Sequence, residues 1–158
     1  MDKERKISNA NDAYQTMIAA LEDMNWKYNR DDEKLMLHFA VTGDDLRTYF
    51  VFCIDVERQL VRLLGVLPFE MSKDKCVEGS IATNVANYKF ADGSFDYDIG
   101  TGKIVWRMTA SFYDSLVGIE LFQYMIQCSC ETIDQYNDQF LAISEGKMSV
   151  EEFIEKNS

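Results

Sequence analysis

The stretch Asn84–Gly146 reads NVANYKFADGSFDYDIGTGKIVWRMTASFYDSLVGIELFQYMIQCSCETIDQYNDQFLAISEG, and its hydrophobic period changes twice. Val77, Ile81, Val85 and Tyr88 recur at helical spacing, which predicts a helix over Lys73–Lys89, stopped by Ala91-Asp92-Gly93. Gly79 falls inside that helix, where it costs about 1 kcal/mol against alanine. Phe95, Tyr97 and Ile99 then alternate with polar residues. The alternation resumes through Ile104, Trp106, Met108, Ala110 and Phe112. Two alternating runs around Gly100-Thr101-Gly102 make a hairpin, because glycine supplies the positive φ angles of the turn. From Gly118 to Ser144 the period is helical again, and Gly146 ends it.

Upstream, Tyr14, Met17, Ile18, Leu21 and Met24 predict an amphipathic helix over Ala10–Tyr28, with Ser8, Asn9 or Asn11 as its cap. Three strands follow. Lys34–Thr42 aligns Leu35, Leu37, Phe39 and Val41, and Leu46–Val56 aligns Leu46, Phe50, Phe52 and Ile54. Gly43-Asp44-Asp45 joins these two, and Glu57-Arg58-Gln59 leads into Leu60–Leu67. Loops this short make consecutive strands antiparallel neighbours. Pro68, which has no N–H to donate, is expected to end the third strand. Downstream, Ser149 and Glu152 form a capping box for a short last helix carrying Val150 and Phe153. The order αβββαββαα predicts one α+β domain over 1–158, a two-layer sandwich of a five-stranded antiparallel sheet with helices on one face.

At 158 residues and 47% hydrophobic, the chain can bury a core without disulfides or metal. The opening Met1-Asp-Lys-Glu-Arg-Lys has no apolar segment behind it and does not read as a signal peptide. The longest apolar run, Tyr49–Ile54, is far short of the roughly 20 residues that cross a bilayer. Four cysteines lacking the spacing of a secreted scaffold predict a reducing, cytoplasmic compartment. The net charge of −11 disfavours nucleic acid and anionic membrane as partners. No Lys or Arg occurs from Met108 through Gly146, a span holding Asp114, Glu120, Glu131, Asp134, Asp138 and Glu145. That span reads either as a solvated helix face or as an acidic surface that steers a basic partner.

Catalytic and metal-binding signatures are weak. His38 is the only histidine. Cys128 and Cys130, two apart on a helix, point about 160° from each other and cannot share one metal ion. Asp96–Gly102 lacks the Glu of a calcium loop, since the twelfth position is Arg107. Gly102-Lys103 is no P-loop, with Tyr97 at the earlier glycine position and Ile104 following. Arg107 beside Trp106 and Arg47 near Tyr49 are too few for a stacking platform on single-stranded nucleic acid. We therefore expect no catalytic residues, no cofactor and no metal.

Two apolar surfaces are left over. The long helix carries one stripe of Ile119, Phe122, Ile126 and Ile133 and a second of Leu121, Met125 and Cys128. A helix on a sheet needs one stripe, so the second faces the first helix, another subunit or a partner. Leu121, Phe122, Met125 and Ile126 are the candidate homodimer seam, and Phe122→Asp or Ile126→Asp is expected to give folded monomers. Met36, Tyr49, Val51, Cys53, Val61, Leu63, Val105 and Tyr113 are assigned to the sheet's other face. They form an interaction patch unless the N-terminal arm or the last helix covers them. Tyr49, Val51, Leu63, Arg107 and Tyr113 are the candidate partner-binding residues.

The exit Leu67-Pro68-Phe69 from the third strand, Asn87 ahead of Gly93-Ser94-Phe95, Gly102 with Ile104, and the helix bearing Ile133-Asp134-Gln135-Tyr136 together resemble the bacterial YbjN family. The resemblance covers about Lys34 to Phe153 and rests on order and spacing. It implies a fold similar to type III secretion chaperones and a role as a chaperone-like protein or sensory-transduction regulator, with no shared active site. Chaperones of that fold are commonly small, acidic and dimeric. They hold an extended client segment on apolar patches. The resulting expectation is a non-enzymatic module that binds a protein, a basic one where the acidic surface steers it, and forms a homodimer. The alternative is a small-molecule sensor with a pocket between sheet and helices lined by Trp106, Tyr97 and Phe50.

Overall fold

The structure is a computed structural model and describes residues 2–158. Its elements run α1 (Lys3–Asp23), β1 (Asn29–Asp31), β2 (Met36–Thr42), β3 (Arg47–Asp55), β4 (Leu60–Glu70), α2 (Cys76–Asn87), β5 (Ser94–Tyr97), β6 (Lys103–Ser111), α3 (Ile119–Ser144) and α4 (Val150–Asn157). A 3-10 turn over Lys73–Lys75 leads into α2. The sheet has six strands rather than five, all antiparallel, in the order β1-β2-β3-β4-β6-β5. The additional strand is β1. Its three polar residues, Asn29, Arg30 and Asp31, show no alternation from which a strand could be read.

α1 begins seven residues before the predicted Ala10. The Asp2 side chain caps it by accepting from Arg5 N at 2.8 Å. Its first turns are held from outside, where Gln59 Nε2 donates to the Lys6 carbonyl at 3.0 Å. These turns carry no apolar stripe because they lie over a strand turn rather than over the core. The helix ends at Asp23, before Asn25 adopts a φ of 56°.

Pro68 does not end its strand. β4 continues to Glu70, and the register of its pairing with β6 shifts between Val66 and Glu70. An interrupted ladder asks for no N–H at that point, so proline is tolerated in the bulge. Gly79, the weak point of the predicted α2, sets how closely that helix can lie. A Cβ there would come within 2.8 Å of both Met71 Sδ and the Tyr97 ring.

The inward sheet residues include Leu37, Phe39, Phe50, Phe52, Val61, Leu63, Ile104, Trp106 and Met108. They join Tyr14, Met17 and Leu21 of α1, Ala82 and Ala86 of α2, Phe122, Ile126 and Phe140 of α3, and Phe153 of α4 in a single apolar core. The architecture is thus a two-layer α+β sandwich. At its centre Phe95 meets Trp106 and Phe140 edge-on at 5.0 Å, and Phe153 stacks on Phe140 at 5.6 Å. Such aromatic pairs add about 0.5–1.5 kcal/mol beyond their buried area. The Trp106 indole N–H donates to Ser129 Oγ at 2.8 Å, so the largest buried ring leaves no polar atom unpaired.

The predicted dimer seam lies inside this core. Phe122, Met125 and Ile126 are each 0% exposed, and Phe122 packs edge-on against Phe52. α3 also contacts α1, and a seam through Phe122, Met125 and Ile126 is excluded by their burial within one chain. Leu121 is half-buried against the same core.

Candidate functional site: the outer face of the sheet

No described helix lies on the second face of the sheet, and the strand register arranges its side chains in rows. One row runs His38, Val51, Leu64, Arg107 and Ser94. The next runs Ala40, Tyr49, Val66, Val105 and Asp96. A third runs Met36, Cys53, Arg62 and Thr109. Val51, Leu64, Val66 and Val105 meet at the middle as one aliphatic patch. All four are half-buried although no other described element covers them, because side chains on neighbouring strands shield one another.

The rim is polar and mostly paired. Arg107 grips Asp96 with two hydrogen bonds, Nε to Oδ2 at 2.6 Å and an Nη to Oδ1 at 3.1 Å. Tyr49 Oη and His38 Nδ1 share a hydrogen bond of 2.9 Å, which props the exposed tyrosine ring over β2. Asp55 lies at the far end. The Arg58 backbone N–H, then its guanidinium and that of Arg62, hold its carboxyl below the usual carboxylate range. Burial pushes the Cys53 thiol up against the opposing pull of Arg62, so this sulfur is a packing group rather than a nucleophile.

Of the five predicted partner-binding residues, the sheet brings Tyr49, Val51 and Arg107 together in adjacent rows. Leu63 is not among them: with Val61 it points into the core at 0% exposure. The outward residues of β4 are Leu60, Arg62, Leu64 and Val66. The assignment failed because β4 is apolar at nearly every position, so alternation gives no parity. The pairing of Val51 with Leu64 fixes it. Tyr113 is exposed but lies past the end of β6, at the opposite end of the sheet from Tyr49.

Nor does one pocket gather Trp106, Tyr97 and Phe50. Trp106 is fully buried, Phe50 lines a cavity of about 190 Å³ beside α3, and Tyr97 lines a separate one of about 360 Å³ beside α2. Among the described residues no group of three His, Cys, Asp or Glu side chains could hold a metal ion, and the four cysteines are free. No described helix is long and apolar enough to cross a membrane.

Each edge of the sheet is guarded over part of its length, β1 covering β2 at Met36–His38 and β5 covering β6 at Ile104–Arg107. β1 is three residues long. At β5, Asn87 Nδ2 donates to the Phe95 carbonyl at 2.9 Å while the Phe95 N–H donates to Asn87 Oδ1 at 2.7 Å. The carboxamide thereby takes the place a neighbouring strand would occupy.

This sandwich is the type III secretion chaperone-like fold. A chain of the HopA1–SchA chaperone–effector complex superimposes with a TM-score of 0.61 at 13% identity, over 84% of this chain and 97% of that one. YbjN from E. coli, reported as a proposed transcription regulator, gives 0.62 at 14% identity over 84% of this chain and 92% of its own. No family model and no curated protein matches the chain.

Proposed function

We propose that the protein is a non-enzymatic interaction module, chaperone-like or regulatory, that binds a protein segment on the bare outer face of its sheet. The observation that carries this reading is the patch of Val51, Leu64, Val66 and Val105 flanked by Tyr49, with no described element packed on it. Contiguous apolar surface of this kind marks an interaction site. Tyrosine and arginine at its edge are the residue types that dominate binding energy at interfaces. A standard interface needs about 800 Å² per partner, within reach of one sheet face on a domain of this size. Likeness to a chain from a chaperone–effector complex supports a protein as the bound species. Four free cysteines agree with a reducing, cytoplasmic setting.

Leu64→Asp and Val51→Asp test the site. Both residues face outward, so the variants should keep the wild-type circular dichroism spectrum while losing their binding partner. Sedimentation of the same proteins determines whether that partner is a second copy of the chain. Folded variants that retain every wild-type association, homotypic or not, would remove this face from consideration.

A further inference from the structure

A cleft lies on the other side of the sheet, where the β2–β3 turn meets α3. Asp44 N donates to Asp134 Oδ1 at 2.9 Å, and Gly43 allows that contact, since a Cβ there would sit 2.0 Å from the same oxygen. Behind this clasp is the cavity of about 190 Å³, walled by Val41, Leu46, Phe50 and Ile133. Asn137 also lines it. That residue is only 1% exposed, and its Oδ1 has no hydrogen-bond partner among the described residues. A buried acceptor left unpaired beside an apolar wall is uncommon.

The mouth is acidic. Glu131 and Asp134 line it, Asp44 and Asp45 lie on the turn, and α3 has no Lys or Arg. Burial chiefly, with Asp134 and Glu131 adding to it, pushes the Cys130 thiol on the cavity wall up to about 12. The volume separates possible occupants. Pockets for whole small molecules run to roughly 300–1,000 Å³, whereas an apolar cavity of about 150 Å³ takes one benzene-sized group.

We propose that this cleft anchors one leucine- or phenylalanine-sized side chain of a partner segment whose neighbouring Lys or Arg residues meet Glu131 and Asp134. The site is separate from the outer face and does not depend on it. The apolar wall, with Asn137 beside it, takes the anchor, and the rim selects for positive charge.

The test is an NMR titration of the labelled full chain with acetylated, amidated Gly-Lys-Leu-Lys-Gly. The same peptide with Asn in place of Leu and free 3-methylbutylamine serve as comparisons, and the Asn137 side-chain amide is read directly. Burying an aliphatic side chain gives about 1.5–3 kcal/mol, so the leucine peptide should bind roughly 10- to 100-fold tighter than the asparagine one. Glu131→Lys, at an exposed position, should weaken it at least about fivefold in low salt. Leu64→Asp on the outer face should leave it unchanged, which keeps failure of this site distinct from failure of that one. Equal binding of the two peptides, or shifts that bypass Asn137, would overturn the anchor. An amine as effective as the leucine peptide would make the cleft a small-molecule site and overturn the peptide assignment.

Discussion

Asn87→Ala should destabilise the protein by about 2 kcal/mol. The wild-type carboxamide makes two hydrogen bonds to one residue of the edge strand, at 2.9 and 2.7 Å. An intramolecular hydrogen bond contributes a net of about 0.5–1.5 kcal/mol, so the pair gives about 1–3. The site is half-buried, and water reaching the freed Phe95 groups keeps the loss below the upper bound. At about 2–4 °C per kcal/mol for a chain of this length, the melting temperature should fall by about 4–8 °C. Urea unfolding followed by tryptophan fluorescence reads this well, because Trp106 sits 5.0 Å from the Phe95 ring. Hydrogen exchange supplies a local readout: the Phe95 amide should lose protection before the amides at the middle of β6. A change below about 0.5 kcal/mol with Phe95 protection intact would refute the strand-mimic role of Asn87.

Gly102→Ala should be far more damaging than Gly146→Ala. Both glycines have φ above +70°, but a Cβ at Gly102 would sit 1.9 Å from the Met71 carbonyl oxygen, while Gly146 faces open space. Costs of more than about 2 kcal/mol and of about 1 kcal/mol are expected from chemical denaturation, and equal costs would dismiss the clash. Ile126→Asp should abolish cooperative unfolding, since a carboxylate in a fully buried site costs more than about 4 kcal/mol; a folded monomer of this variant would restore the helix seam. Tyr14 is 2% exposed and donates to Asp32 at 2.7 Å, and burial with the neighbouring carboxylate raises its phenol to about 12 from the usual 10. The folded state favours the protonated phenol, so its contribution is complete below pH 10 and disappears as pH rises towards 12. Tyr14→Phe should therefore lose less stability than wild type across that window in pH-resolved denaturation, and parallel curves would contradict the shift.

The fold was legible wherever period and chemistry agreed. The β5–β6 hairpin carries strict alternation around a glycine turn, and α3 has the helical period. Ser149 and Glu152 cap α4 reciprocally as their spacing predicts. β1 escaped because pairing with β2, rather than a hydrophobic face, makes it a strand. The candidate site was legible in part. Tyr49, Val51 and Arg107 follow from the alternation of β3 and β6. Leu63 could not be placed from β4, whose apolar residues occupy both faces. The two stripes of α3 were visible, but assigning one to a dimer required knowing how much of α3 α1 covers. The cleft beside Asn137 depends on a turn from one end of the sheet landing on a distant helix, and no local pattern encodes that contact.

The pairing of β4 with β6 also bears on how the molecule assembles. β1 to β4 form successive local hairpins, and β5 to β6 form another, whereas Leu60–Glu70 must find Lys103–Ser111 across the whole of α2 and β5. Loop-closure entropy makes that encounter the slow one, because the chain must be gathered before any ladder bond rewards it. Until the two blocks unite, each exposes a raw strand flank that its finished form lacks. The period of greatest vulnerability to misassociation therefore belongs to the half-assembled chain, whose unpaired flanks are the interior seam of the completed sheet.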